Sequence, residues 1–146
     1  MRVYIPASFD DLETCLTGLW SPGDAFAVTD QLLDITALDD DDEVAEQVRD
    51  VAALTSVARR GVPLRVVIVA DCPRLDVEEL AGEHPAAVRI NGRVDGADVV
   101  CAFVDELAAA DAVSDATTGS AEALEALADH ELLWWDVSEF DQIPRP

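Results

Sequence analysis

Two stretches of this chain, Val66-Val67-Ile68-Val69 and Val99-Val100-Cys101-Ala102-Phe103-Val104, are apolar at every position. A strand with one wet face alternates apolar and polar residues. A strand that is apolar at both parities has to be covered on both sides, usually by helices. That requirement points to an α/β domain. The rest of the chain supplies candidate helices: Phe9, Leu12, Leu16 and Leu19 recur at helical spacing, with Ser8 and Asp11 forming a capping-box pattern in front. Thr29 or Asp30 can cap a short helix containing Leu32, Leu33 and Ile35. Val44, Val48, Val51, Ala52, Thr55 and Ala58 mark a longer helix, with acids at its start and Arg59-Arg60-Gly61 at its end.

Further strands are expected at Arg2 to Pro6, Ala25 to Val28, Ala87 to Ile90 and His130 to Val137, the last with a helix as the close alternative. A helix is expected at Val77 to Leu80, and two more at Leu107 to Val113 and Ala121 to Ala128. The helix between the first two strands reads as the crossover of a parallel pair. The short gap from Ile90 to Val99 makes those two strands antiparallel neighbours. The expected architecture is a single three-layer α/β domain over residues 1–146. Its sheet is mixed and mostly parallel, with five or six strands and helices on both faces. The tail, Ile143-Pro144-Arg145-Pro146, is expected to be loose.

Charge narrows the classes of partner. Against 31 acidic residues stand nine basic ones, for a formal net charge of -22. Every base is an arginine, lysine is absent, and Asn91 is the single asparagine. Such a field repels nucleic acid and anionic membranes. Codon composition accounts for it most simply, with salt adaptation or a functional acidic surface as alternatives. Cys15, Cys72 and Cys101 form no disulfide framework and no C-x-x-C pair. Reduced core thiols, no signal-peptide anatomy and no apolar run near bilayer length favour a cytoplasmic setting.

Catalytic and metal motifs are weak. An EF-hand loop starting at Asp39 would need glycine and glutamate where Val44 and Asp50 stand. His130-Glu131 opens like a zincin motif, but the second histidine position holds Trp134. No phosphate cradle or nucleophile elbow is present. No cofactor or metal is expected. Asp71 and Asp105-Glu106 follow the two most apolar strands, where open α/β sheets bind ligands, and two carboxylates there could hold Mg²⁺. They converge only if the strands run parallel. The simpler account is that each caps the segment after it. Trp134 and Trp135 would point to opposite faces of a strand. The outward ring, with His130, Glu131 and Tyr4, could line a ligand groove or a homodimer contact.

Four segments carry a resemblance: Met1-Arg2-Val3-Tyr4-Ile5-Pro6-Ala7, Arg65-Val66-Val67-Ile68-Val69-Ala70-Asp71, Ala102-Phe103-Val104-Asp105-Glu106 and His130-Glu131-Leu132-Leu133-Trp134-Trp135. Together they resemble an uncharacterised family of small acidic actinobacterial proteins, catalogued as a domain of unknown function. Where such relatives tend to carry Val-His-Val-Asp, this chain has Ala102-Phe103-Val104-Asp105. The resemblance implies a bacterial cytoplasmic setting and brings no activity with it.

The leading expectation is a non-catalytic binding or adaptor module, with a homodimer or another protein as partner. Its candidate residues are Tyr4, Asp71, Asp105, Glu106, His130, Glu131, Trp134 and Trp135. The alternative is an enzyme with a carboxylate site at strand ends. A third is an acidic DNA mimic or an inhibitor of a basic partner, which needs its acids gathered on one face.

Overall fold

The computed structural model describes residues 1–37, 40–60 and 62–146. Seven strands form one sheet: β1 (Arg2–Ala7), β2 (Asp24–Phe26), β3 (Val66–Asp71), β4 (Val77–Glu79), β5 (Ala87–Ile90), β6 (Val99–Asp105) and β7 (Leu132–Asp136). Five helices join them: α1 (Phe9–Thr14), α2 (Asp30–Ile35), α3 (Asp41–Arg60), α4 (Ala110–Ala116) and α5 (Ala121–Ala126). The strand order is β4-β5-β2-β1-β3-β6-β7, and every pairing is antiparallel. The expected mostly parallel sheet of five or six strands is therefore corrected.

The physical reason lies in α1. The Ser8 capping box forms as read, but the helix stops after six residues. Leu16 and Leu19, which continue the periodic pattern, are exposed. Six helical residues rise only about 9 Å, too little to carry the chain back along a strand for a parallel return. The chain turns instead through Gly18 (φ 76°) and Gly23 (φ 75°), and β2 meets β1 antiparallel at Tyr4 and Phe26.

Two other expectations change. Val77 to Leu80 forms no helix: Val77–Glu79 is the edge strand β4, which pairs with β5. β5 and β6 are not neighbours, because β2, β1 and β3 lie between them. The tail makes contacts of its own. Ile143 is buried in the core, Arg145 Nη2 lies 2.8 Å from Glu13 Oε1, and its guanidinium stands over the Phe9 ring.

The apolar runs do what their pattern requires. On one face, Val66, Ile68, Ala102 and Val104 pack with Val3 and Ile5 against Phe9 and Leu12 of α1 and Val113 and Ala116 of α4. On the other, Val67 and Phe26 pack against Val44, Val48 and Ala52 of α3, with Tyr4 and Phe103 partly buried beside them. Thus α3 crosses β1 while carrying the chain from β2 on one side of it to β3 on the other. Asp40 Oδ1 accepts the Asp42 amide at the start of α3, and Asp41, Asp42 and Glu43 occupy its first turn, where acids suit the helix dipole. Asp39, and Gly61 as the expected C-cap, lie outside the described residues, as do the side chains of Arg59 and Arg60. No helix among the described residues is long and apolar enough to cross a membrane.

Candidate functional site

The sequence-derived candidates divide among three places. Asp71 ends β3 and Asp105 ends β6, and the antiparallel register (Val66 opposite Val104) puts the two acids at opposite ends of β3. The six steps from Arg65 to Asp71 span roughly 20 Å of strand, so the two carboxylates do not converge. Each has its own arginine. Arg2 Nε and Nη2 donate to the exposed Asp71 at 2.9 and 3.1 Å, and this hydrogen bond holds its carboxyl below the usual range. No cluster of three or more histidine, cysteine, aspartate or glutamate side chains that could hold a metal occurs among the described residues.

Asp105 belongs to the second place. Its carboxylate is fully buried. Oδ2 accepts both the Arg65 amide and Arg65 Nε at 2.9 Å, and Oδ1 accepts Arg65 Nη2 at 2.7 Å. The same Nη2 also donates to the carbonyls of Leu127 and His130, each at 3.1 Å. One guanidinium thus ties the ends of β3 and β6 to the segment that enters β7. Beside it, His130 Nδ1 lies 3.1 Å from Glu106 Oε1.

A cleft of about 440 Å³ opens over this cluster, with α3 on one side and the chain from Leu124 to Leu132 on the other. Among the candidates, His130 and Glu131 line it directly. Asp105 and Glu106 reach it through Arg65 and His130. Sequence reasoning missed Arg65 and Arg49, which also line it. Arg49 donates to Asp50 through Nε and Nη2 and stands 5.1 Å from the centre of the Phe103 ring. The available signal was an arginine opening the most apolar strand, but it has meaning only once a register sets an aspartate opposite.

The third place is the outer edge of β7. Trp134 is 57% exposed and Leu133 40%, whereas Trp135 packs against the first core cluster. The two tryptophans do point to opposite faces. Tyr4 lies under α3 with the second cluster and lines neither the cleft nor the edge.

The direction of the β7 main chain follows from the ladder. The Asp105 amide bonds Arg65 on the β3 side, and the Glu106 amide bonds the Glu131 carbonyl on the β7 side. Alternation then turns Ala102 and Val104 toward their register partners Trp135 and Leu133. Leu132 and Trp134 consequently direct their amides and carbonyls outward. The Asp136 amide, next in that series, is taken by Glu139 Oε1 at 3.0 Å. The opposite edge differs, since β4 is three residues long and carries exposed Glu78 and Glu79.

Compared with known proteins, residues 1–143 match the model of a "Family of unknown function (DUF6912)". No curated protein and no solved structure matches the chain.

Proposed function

The chain belongs to that family of unknown function, and from this premise and the geometry we propose that it is a protein-binding module whose edge strand β7 receives an extended segment of a basic partner. The carrying observation is the outward main chain of Leu132 and Trp134 with the exposed Trp134 ring beside it. Open edges in soluble proteins are commonly blunted by charge, brevity or a covering element. β4 is blunted in this way. Between Glu131 and Asp136, β7 has four successive uncharged apolar residues.

Strand addition uses main-chain bonds for affinity and alternate side chains for selectivity. Charge selects the partner. Glu131 and Asp136 bracket the edge on a chain of net charge -22, and an indole face attracts arginine and lysine. A second copy fits less well. Both copies carry the same net charge of -22, so like-charge repulsion opposes their approach.

The peptide Arg-Val-Arg-Val-Arg-Val tests this, against Glu-Val-Glu-Val-Glu-Val. The basic peptide should slow hydrogen exchange at the Leu132 and Trp134 amides and shift Trp134 fluorescence, and Trp134→Ala should weaken it. Equal binding of both peptides, or protection elsewhere, would remove the reading. A dimer in light scattering that Trp134→Ala dissolves would replace the basic partner with a second copy.

A further inference from the structure

We infer that the cleft between α3 and the Leu124–Leu132 segment binds a small organic carboxylate bearing a short apolar arm. The inference is independent of the edge-strand reading. It rests on how the two arginines of the cleft are held. Arg65 is all but buried, with 6% of its side chain exposed. Its Nε and Nη2 are fixed by Asp105 and two carbonyls. Arg49 is more open to solvent, and its Nε and Nη2 share a single oxygen of the exposed neighbour Asp50. Among the described residues, neither Nη1 makes a hydrogen bond to protein, yet both arginines line the same cleft. Donors already oriented by a carboxylate on one side, and unmatched on the other, are preorganised for an acceptor.

Charge and shape set the class of that acceptor. Each guanidinium is neutralised by its own aspartate, so no excess of positive charge attracts a multiply charged anion such as a nucleotide. A carboxylate offers one oxygen to each Nη1, and charge-assisted hydrogen bonds of this kind are stronger than those to a neutral acceptor. Beyond the arginines one part of the wall is aliphatic, with Leu54, Leu124, Leu127 and Leu132, and the rest carries Asp50, His130 and Glu131. Oriented polar groups beside an apolar wall, in a concavity of this size, suit a small-molecule site. The negative field of the whole chain falls off within about 8 Å at physiological salt. Acids beyond that distance slow the approach of an anion more than they weaken its contacts at the arginines, while Asp50 and Glu131 in the cleft itself disfavour more than one negative charge on the ligand.

The probe is hexanoate, titrated into the ¹⁵N-labelled chain and followed by NMR, with hexanamide and inorganic phosphate as comparisons. Hexanoate should saturate and move the amides of Leu127, Ala128 and Leu132. Hexanamide, which fills the same space without charge, and phosphate, which lacks the apolar arm, should each bind at least about tenfold more weakly. Arg49→Gln should weaken hexanoate by a similar factor. Arg49 is the position to change, because it is held at the surface while Arg65 joins three parts of the fold. Failure of hexanoate to saturate in the millimolar range overturns the inference. So does hexanamide or phosphate binding as tightly as hexanoate, or an unchanged affinity in Arg49→Gln.

Discussion

Asp105 accepts three hydrogen bonds from the single residue Arg65, one from its amide and two from its guanidinium, in a pair with almost no access to water. Breaking one side of a buried pair leaves a charge without compensation and typically costs about 3–5 kcal/mol. Asp105→Asn should lose that much in urea unfolding. The double change Arg65→Met with Asp105→Leu should cost less than the sum of the two single changes, because no unpaired charge remains. Additive losses would mean the pair acts as two unrelated side chains.

The three thiols should be inert in the folded chain. Burial pushes the Cys15 thiol up to about 12 and the Cys72 thiol up to about 11. Cys101 is raised by burial too, against a hydrogen bond from Trp134. Only the thiolate attacks alkylating agents. Iodoacetamide at pH 8 should leave the native chain unmodified over an hour and label all three cysteines in urea, as read by intact mass.

The Arg2–Asp71 pair sets a definite pH response. The hydrogen bond from Arg2 lowers the Asp71 carboxyl from its ordinary 3.8. A carboxylate with a lowered folded value stabilises fully above its unfolded value and loses that contribution as pH falls through the folded one. Both side chains are half exposed, so the effect on stability is small. The titration itself is the better measurement: Arg2→Gln should return the Asp71 midpoint, followed by carboxyl ¹³C shift, toward 3.8.

Self-repulsion among the acids should make the chain more stable in salt. Screening shortens the reach of that repulsion to about 3 Å at 1 M. Melting measured at rising NaCl should therefore climb, with each kcal/mol gained appearing as about 2–4 °C. A melting temperature that is flat or falls with salt would mean the acids are already offset pair by pair.

Gly96 is required for a close approach. A Cβ there would lie 2.6 Å from the Leu16 carbonyl oxygen and 3.0 Å from its carbon, both main-chain atoms. Gly96→Ala should cost about 1–3 kcal/mol through the forced shift, measured by denaturant unfolding. The adjacent change Ala97→Ser is the comparison and should be close to neutral.

Local chemistry was legible in the sequence, while strand direction was not. Ser8 caps α1 as expected and Thr29, rather than Asp30, caps α2, because a hydroxyl beside an apolar repeat acts within three residues of itself. Val66–Val69 and Val99–Val104 were recognisable as strands covered on both faces. Their pattern says nothing of parallel or antiparallel pairing, because helices can cover both faces of either kind. Leu16 and Leu19 prolonged the helical rhythm of α1 past its end, and that excess suggested a crossover. At the candidate site, His130 and Glu131 were found from their residue types. Arg65 and Arg49 were not, because the aspartate that fixes Arg65 lies 40 positions away and the cleft exists only after β3 and β6 pair.

The place of β1 in the sheet has a consequence during synthesis. It is made before the other six strands of the sheet, yet it becomes the middle one, and its main partner is β3, with Val3 set opposite Ala70. At a ribosomal rate of about 5–20 residues per second, β3 emerges roughly 3–13 s after β1. Through that interval a nascent apolar strand has lost neither of its edges to a stable neighbour, because β2 meets it at one position. Sheets closed by such distant pairings also fold slowly, in milliseconds to seconds. The growing chain therefore keeps an apolar strand open to wrong association until β3, Val66–Asp71, is free to close the gap.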